Sequence, residues 1–569
     1  MKNNETHGFF GGLTKYGDEE FSKFLRKVFL SSLGYDDLDL SRPVIGIADT
    51  SSGYVTCHRE MPQLIDAIKR GVLEAGGLPV VFPTASLPEI MMNPTSMYLR
   101  NLLAIETEEL IRSQPMDGVV LVGGCDKTVP AQLMAGISAG IPFMQVVAGP
   151  MIPGKWEGKK VGACTDCRAA WAEFRGGRIS EDQIKDVSGV LAPSGGTCTV
   201  MGTASTMACI SEALGFAIAG SSTAAAPTGE RLIAGVRTGR AIVDAVKIGL
   251  TPDRILSKSS FVNAATVLGA LGGSTNAIIH LLAIARRANI KFTLDDIAQA
   301  SNSVPVIVNC KPSGTGYMDD FHNEGGVPQL IHQIKEILDL NALTMTNLNW
   351  DETLKSIPLR SPSGEGLTKV SSPVSPKGGL RVLRGNLAPQ GAVIKVSAAS
   401  AELLNHKGKA VVFENIDDMM ARIDDPNLDV EADSVLVLKN AGPYAAGMPE
   451  AGALPIPAKI AKTGVRDMVR ISDARMSGTA YGTVVLHISP ESAVGGPLAI
   501  VQNGDVIVLD VENNKLEILL SSEQIAKRLE SHKGTSFLPN SHWGNVFKAT
   551  VMQASEGADM DTSLLRGEL

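Results

Sequence analysis

Residues 118–130 read Gly-Val-Val-Leu-Val-Gly-Gly-Cys-Asp-Lys-Thr-Val-Pro. The first five form a short, uncharged, β-branched run, the pattern of a strand buried on both faces. Two glycines end it, and a thiol, a carboxylate and an amine follow side by side at Cys125, Asp126 and Lys127. Two further runs of this kind lie upstream, Pro43-Val-Ile-Gly-Ile-Ala48 and Pro79-Val-Val-Phe82. Between those two, residues 60–75 carry apolar side chains at helical spacing and stop at Gly76-Gly77. Strand, helix, strand predicts an α/β fold with a parallel sheet.

Composition sets outer limits. The chain has 569 residues, 44% apolar and 20% charged, which suits two folded domains. A net charge of −8 and 5% aromatics argue against nucleic-acid binding, which needs clustered basic groups or stacking rings. The uncharged run 132–154 is long enough to span a membrane, but Pro142, Pro150 and Pro153 break it, so it reads as a buried helix and a buried strand. The first residues, MKNNETHGFFGG, lack an apolar segment behind a basic one. Seven widely spaced cysteines, an odd number, then suggest reduced thiols and a cytoplasmic protein.

The composition shifts at 360–379, where Ser, Pro and Gly dominate as in a linker. We therefore expect an α/β domain over 1–376 and a β-rich, barrel-like domain over 377–569. In the second, short β-rich runs begin near Leu380, Ala392, Ala410, Ser434 and Thr483. Two more, 506–511 and 515–520, flank Glu-Asn-Asn, a hairpin signal.

In open parallel sheets, sites form beyond the carboxyl ends of the strands. Beyond the first run lie Cys57 and His58, beyond the second Glu89, and beyond the third Cys125, Asp126 and Lys127. A glycine-rich loop, Pro193-Ser-Gly-Gly-Thr-Cys198, opens a helical run and offers a third thiol. Three thiolates suit an iron–sulfur cluster with one iron position open; the plain alternative is that they are small buried hydrophobes. Cys164-Thr-Asp-Cys167 is a rival redox or metal pair, though a zinc site would have to borrow distant ligands. Cys209 and Cys310 read as core. Glu89, Asp126 and Glu450 are hard oxygen donors suited to Mg²⁺, although each taken alone reads more readily as a solvated surface acid. Ser477, among small residues, is either a turn former or a base with a lowered pKa.

Four stretches taken together resemble the dihydroxyacid and sugar-acid dehydratases, the family that includes 6-phosphogluconate dehydratase. They are Gly123-Gly-Cys-Asp-Lys127, Gly195-Gly-Thr-Cys-Thr-Val-Met-Gly-Thr-Ala-Ser-Thr206, Gly272-Gly-Ser-Thr-Asn276 and Asp473-Ala-Arg-Met-Ser-Gly478, and the likeness runs from about residue 42 to 497. The resemblance implies that Cys57, Cys125 and Cys198 bind an iron–sulfur cluster, with two irons expected rather than four. It implies that Glu89, Asp126 and Glu450 bind Mg²⁺ together with Lys127, carboxylated as in the pentonate members. It implies that Ser477 is the base, with Thr479 near the substrate hydroxyls. Cys-Asp-Lys-Thr-Val-Pro-Ala, Gly-Thr-Cys-Thr-Val-Met and Ala-Arg-Met-Ser-Gly-Thr depart from the branched-chain enzymes and look like the sugar-acid branch. The implied activity is a hydro-lyase that turns an aldonate such as L-arabinonate into a 2-keto-3-deoxy acid, in a homodimer or homotetramer. A branched-chain dihydroxyacid dehydratase and a non-catalytic iron–sulfur or redox protein remain the alternatives.

Overall fold

The computed structural model describes residues 8–11, 18–530 and 532–563. Its first part is built on a four-stranded sheet of β1 (Val44–Asp49), β2 (Leu78–Pro83), β3 (Gly118–Gly123) and β4 (Phe143–Val147), in the order β2-β1-β3-β4. Every pairing is parallel. All of β3 and β4 is buried, and so is all of β1 except Asp49, which is why these strands read as unbroken apolar runs. The helices Met61–Glu74 and Ser96–Ser113 provide the crossovers. Helix Thr128–Ala139 and β4 account for the uncharged run 132–154, and no helix among the described residues is long and apolar enough to cross a membrane. A short hairpin, β5 (Gly154–Trp156) with β6 (Lys159–Val161), leads into helix Thr165–Arg175.

The second part is a closed barrel. Its strands are β7 (Leu380–Gly385), β8 (Ala388–Lys395), β9 (Asn405–Phe413), β10 (Val435–Leu438), β11 (Arg470–Ser472), β12 (Val484–Ser489), β13 (Val506–Asp510) and β14 (Lys515–Ile518). They close in the order β10-β11-β12-β8-β7-β14-β13-β9. Closure leaves no sheet edge, and an eight-stranded barrel is narrow enough for side chains such as Ile394, Val437, Ile471 and Leu509 to fill it. β13 and β14 form the expected hairpin, and Asn514 in its turn takes a left-handed φ of 57°.

The Ser-, Pro- and Gly-rich stretch 360–379 is tied down along its length. Leu367 bridges Val308 and Ser375 bridges Val306. The Glu324 carboxylate accepts the backbone N–H groups of Glu365, Gly366 and Leu367.

Candidate active site

The loops beyond β1 and β3 bring Cys57 and Cys125 together. The Cys125 thiol, with burial, pushes the Cys57 thiol up. His58 fixes the geometry: its Nε2 accepts the Cys125 backbone N–H at 3.1 Å, and its Nδ1 lies 2.8 Å from the Thr50 carbonyl. Only the neutral ring with its proton on Nδ1 satisfies both contacts. Burial favours that form, pushing the His58 pKa down to about 4. Cys198 adjoins this pair and feels the charge of both thiols. Its own nearest sulfur, however, is Cys164, at 2.9 Å. Cys167 in turn neighbours Cys164, whose thiol, with burial, pushes that of Cys167 up. The Cys164–Cys167 pair, a rival to the three-thiol site on sequence alone, thus stands at that site. Cys209 and Cys310 are buried in the core, as expected.

Next to the sulfurs, carboxylate oxygens of Glu89, Asp126 and Glu450 all lie within 4.8 Å of one another. Glu89 opens a short helical turn after β2, and Asp126 sits where the Ala204 N–H, in the first turn of helix Thr203–Ala213, can hydrogen-bond it. Lys127, fully buried, donates to Glu89 at 3.1 Å and lies 4.0 Å from Asp126. Ser96 also donates to Glu89. Arg475 spans the group: Nη2 donates to Glu89 at 2.6 Å, Nη1 to Glu450 at 2.7 Å and Nε to the Met448 carbonyl at 2.7 Å.

The charges do not balance evenly over the three acids. Burial alone would raise Glu89, but Arg475 and Lys127 outweigh it and hold that carboxyl below its usual range. Glu450 is pushed up to about 7 by burial and by repulsion from Glu89. Asp126 is also raised, burial being the main cause.

Ser477 and Thr479 complete the site. Their hydroxyls are 2.9 Å apart and both residues are buried. The Thr479 carbonyl accepts from Thr165 Oγ1 at 2.9 Å, and its hydroxyl accepts from Arg168 Nε at 3.4 Å. Helix Thr165–Arg175 therefore joins the thiols to the serine loop. Gly478 lies so close to the segment 203 and 274 that a Cβ there would be 2.6 Å from Ser274 Oγ and 2.7 Å from the Thr203 nitrogen. Asn276 ties down the same loop, donating to the Met476 carbonyl at 3.1 Å. The four stretches that carried the resemblance thus pack against one another.

Two inorganic groups fit these donors. The three half-buried acids are hard oxygen ligands crowded beyond what Arg475 and Lys127 neutralise, so a small divalent cation would relieve the repulsion that raises Glu450. Among the described residues, the carboxylates are the one set of three or more potential ligands gathered within 4.8 Å. The thiols are spread more widely than a single ion requires, as suits a cluster with more than one iron.

All nine residues singled out in the sequence, Cys57, Glu89, Cys125, Asp126, Lys127, Cys198, Glu450, Ser477 and Thr479, come together here. Sequence reasoning missed Arg475, Ser96 and Arg168, and it named His58 without giving it a part. Arg475 and His58 each sit within two residues of a chosen position, while Ser96 and Arg168 carried no signal of their own.

The chain is similar to known proteins along most of its length. The family model described as dihydroxy-acid/6-phosphogluconate dehydratase N-terminal matches residues 42–353, and its C-terminal counterpart matches 365–558. An L-arabinonate dehydratase from Rhizobium leguminosarum bv. trifolii is 44% identical over 555 residues, covering 96% of this chain and 95% of that protein. A 6-deoxy-6-sulfo-D-gluconate dehydratase from Pseudomonas putida is 44% identical over 526 residues, covering 92% and 90%. A dihydroxy-acid dehydratase from Saccharolobus islandicus is 35% identical over 541 residues, covering 94% and 96%. With matches spanning nearly its whole length and the motifs gathered at one site, the chain belongs to the dihydroxy-acid/6-phosphogluconate dehydratase family.

Proposed function

We propose that this protein removes water from a sugar acid, an aldonate such as L-arabinonate, to give a 2-keto-3-deoxy acid. The observation that carries the reading is the loop of Arg475, Ser477 and Thr479: Arg475 holds Glu89 and Glu450, Thr479 meets Thr165 next to Cys164, and Ser477, between the two in sequence, pairs its hydroxyl with that of Thr479. Thr165, Arg168 and Thr479 give that side of the site a polar rim, which suits a chain of hydroxyls better than the alkyl branch of a dihydroxyisovalerate.

Glu89, Asp126, Glu450 and Lys127 would hold Mg²⁺, and Cys57, Cys125 and Cys198 a two-iron cluster. Bound there, the metal centres would supply positive charge for the anion forming at C1–C2 and a Lewis acid for the hydroxyl leaving C3. The chain's own part is proton transfer and orientation. Ser477 Oγ, as its alkoxide, takes the Cα proton, and Thr479 Oγ1 holds the serine oxygen and a substrate hydroxyl in line. The proton removed from C2 and the hydroxide lost from C3 together make the water, and the enol tautomerises to the keto acid. Lys127 joins the donor set once carboxylated, which needs its neutral amine and CO₂ and turns a point cation into an oxygen ligand.

The seven cysteines are all unpaired, which suits a reducing cytoplasm. Helix Glu19–Ser32 leaves Phe21, Phe24 and Phe29 exposed, at 49%, 60% and 68%, a face that supports the homodimer or homotetramer reading. Light scattering checks the assembly.

An anaerobic assay of keto-acid formation decides the substrate. L-Arabinonate, D-gluconate and D-galactonate should give product, with 2,3-dihydroxyisovalerate turned over poorly. Preference for the branched-chain acid would overturn the sugar-acid reading.

A further inference from the structure

The sulfurs at the site fall into two pairs. Cys57 and Cys125 are neighbours, the second raising the proton affinity of the first; Cys164 and Cys198 face each other at 2.9 Å, closer than an ordinary contact between two sulfur atoms. The pairs are neighbours, since Cys57 feels the charge of Cys164, and Cys198 that of Cys57 and Cys125. A two-iron cluster held by protein alone takes four thiolates, two on each iron. The three-cysteine assignment gives Cys57, Cys125 and Cys198 to the cluster and leaves the partner of Cys198 without a role.

We propose that Cys164 is a fourth thiolate ligand, sharing with Cys198 the iron that three cysteines leave open, and that it withdraws when substrate enters. This rests on the reading of Cys57, Cys125 and Cys198 as cluster ligands. Three features support it. Cys164 is the residue just before helix Thr165–Arg175, which fixes its sulfur 2.9 Å from that of Cys198. Cys167, one turn on, neighbours Cys164 and offers it a weak S–H donor. The same helix carries Thr165 and Arg168 against Thr479, so an arriving substrate meets the element that holds Cys164. No oxidation state changes: the Cys164 thiol loses its proton to solvent as its sulfur binds iron, and takes one back on leaving. In that role Cys164 guards the open iron against water between turnovers.

The test uses the full chain, anaerobically purified and reconstituted with iron and sulfide. Iron content, visible absorption and the electron paramagnetic resonance of the reduced cluster are compared in wild type, C164S, C167S and C125S, with and without L-arabinonate. Wild type without substrate should show the signature of all-thiolate ligation. C164S should keep its iron but shift both spectra, and L-arabinonate should move wild type toward C164S while changing C164S little. Iron release to a chelator should be about tenfold faster in C164S, the lower end of what loss of a metal-site residue costs. Superimposable wild-type and C164S spectra with equal release rates would overturn the proposal alone. A wild type that takes up no cluster, or a C125S that keeps a full one, would overturn the underlying ligand reading as well. If C164S does not fold, the wild-type spectrum still decides: no change on adding L-arabinonate overturns the proposal.

Discussion

Arg475 Nη2 lies 2.6 Å from Glu89 Oε1, although the two residues are 386 positions apart in the chain. One belongs to the loop after β11 of the barrel, the other to the turn after β2 of the parallel sheet. Their contact crosses between the two parts of the fold at the candidate metal site. Because the guanidinium is rigid and forked, it can hold Glu89 and Glu450 at once, which a lysine ammonium cannot do with the same geometry. Arg475 thus sets the spacing of two acids that sequence reading assigns to magnesium.

Replacing that residue should therefore separate charge from shape. R475K keeps the charge and should still lower kcat/KM by at least about a hundredfold, because misplaced ligands act as misplaced catalytic groups do. R475A removes the guanidinium that Glu89 and Glu450 share, leaving Glu89 to Lys127 and Ser96, and should lower the melting temperature as well as the activity. Steady-state kinetics and thermal melts check both. An R475K enzyme within threefold of wild type would show that the fork is dispensable.

Ser477 and Thr479 give a second, chemically distinct expectation. S477A should lower kcat by roughly 10²–10⁴, the usual worth of a positioned base, while cluster absorbance and melting temperature stay put. T479S should retain most activity, since it keeps the hydroxyl 2.9 Å from Ser477, and T479V should not. Substantial turnover by S477A would remove the serine from the reaction.

Lys395, the last residue of β8, offers a test of the barrel apart from the chemistry. Its ammonium is buried with no hydrogen-bond partner among the described residues, and burial pushes its pKa down to about 7. An unfolded lysine holds its proton up to its ordinary value of 10.5, so between pH 7 and that value the unfolded chain binds more protons. Folding stability contributed by this group therefore rises with pH across that window, and its cost is full below pH 7. K395M should raise the melting temperature at pH 7, by the on the order of 1–3 kcal/mol that an unpaired buried group costs. The gain should shrink as pH approaches 10. A variant that melts lower at pH 7, or gains equally at all pH, would contradict this.

Much of this molecule was readable in its sequence because burial and position coincide. β1, β3 and β4 are buried almost throughout, so they appear as apolar runs, and the residues just past β1, β2 and β3 are those at the site. β11 escaped: it has three residues, starts with Arg470, and takes its strand form from its neighbours β10 and β12. Cys164 and Cys167 could be picked out as a pair but not placed, because a hairpin and a helix start outside the main sheet carry them to Cys198. Arg475 stood in the chosen Asp473–Gly478 stretch, yet its partner could not be inferred from local pattern, since it comes from the far end of the chain.

The central claim is that sulfur-held iron and oxygen-held magnesium act on the same sugar acid. The most direct measurement titrates both in one anaerobic preparation, following L-arabinonate turnover against iron content and against Mg²⁺ restored after chelation. Turnover should rise in proportion to cluster iron and vanish without a divalent cation, returning when Mg²⁺ is added. A colourless, iron-free preparation that dehydrates the sugar acid at full rate would contradict the account.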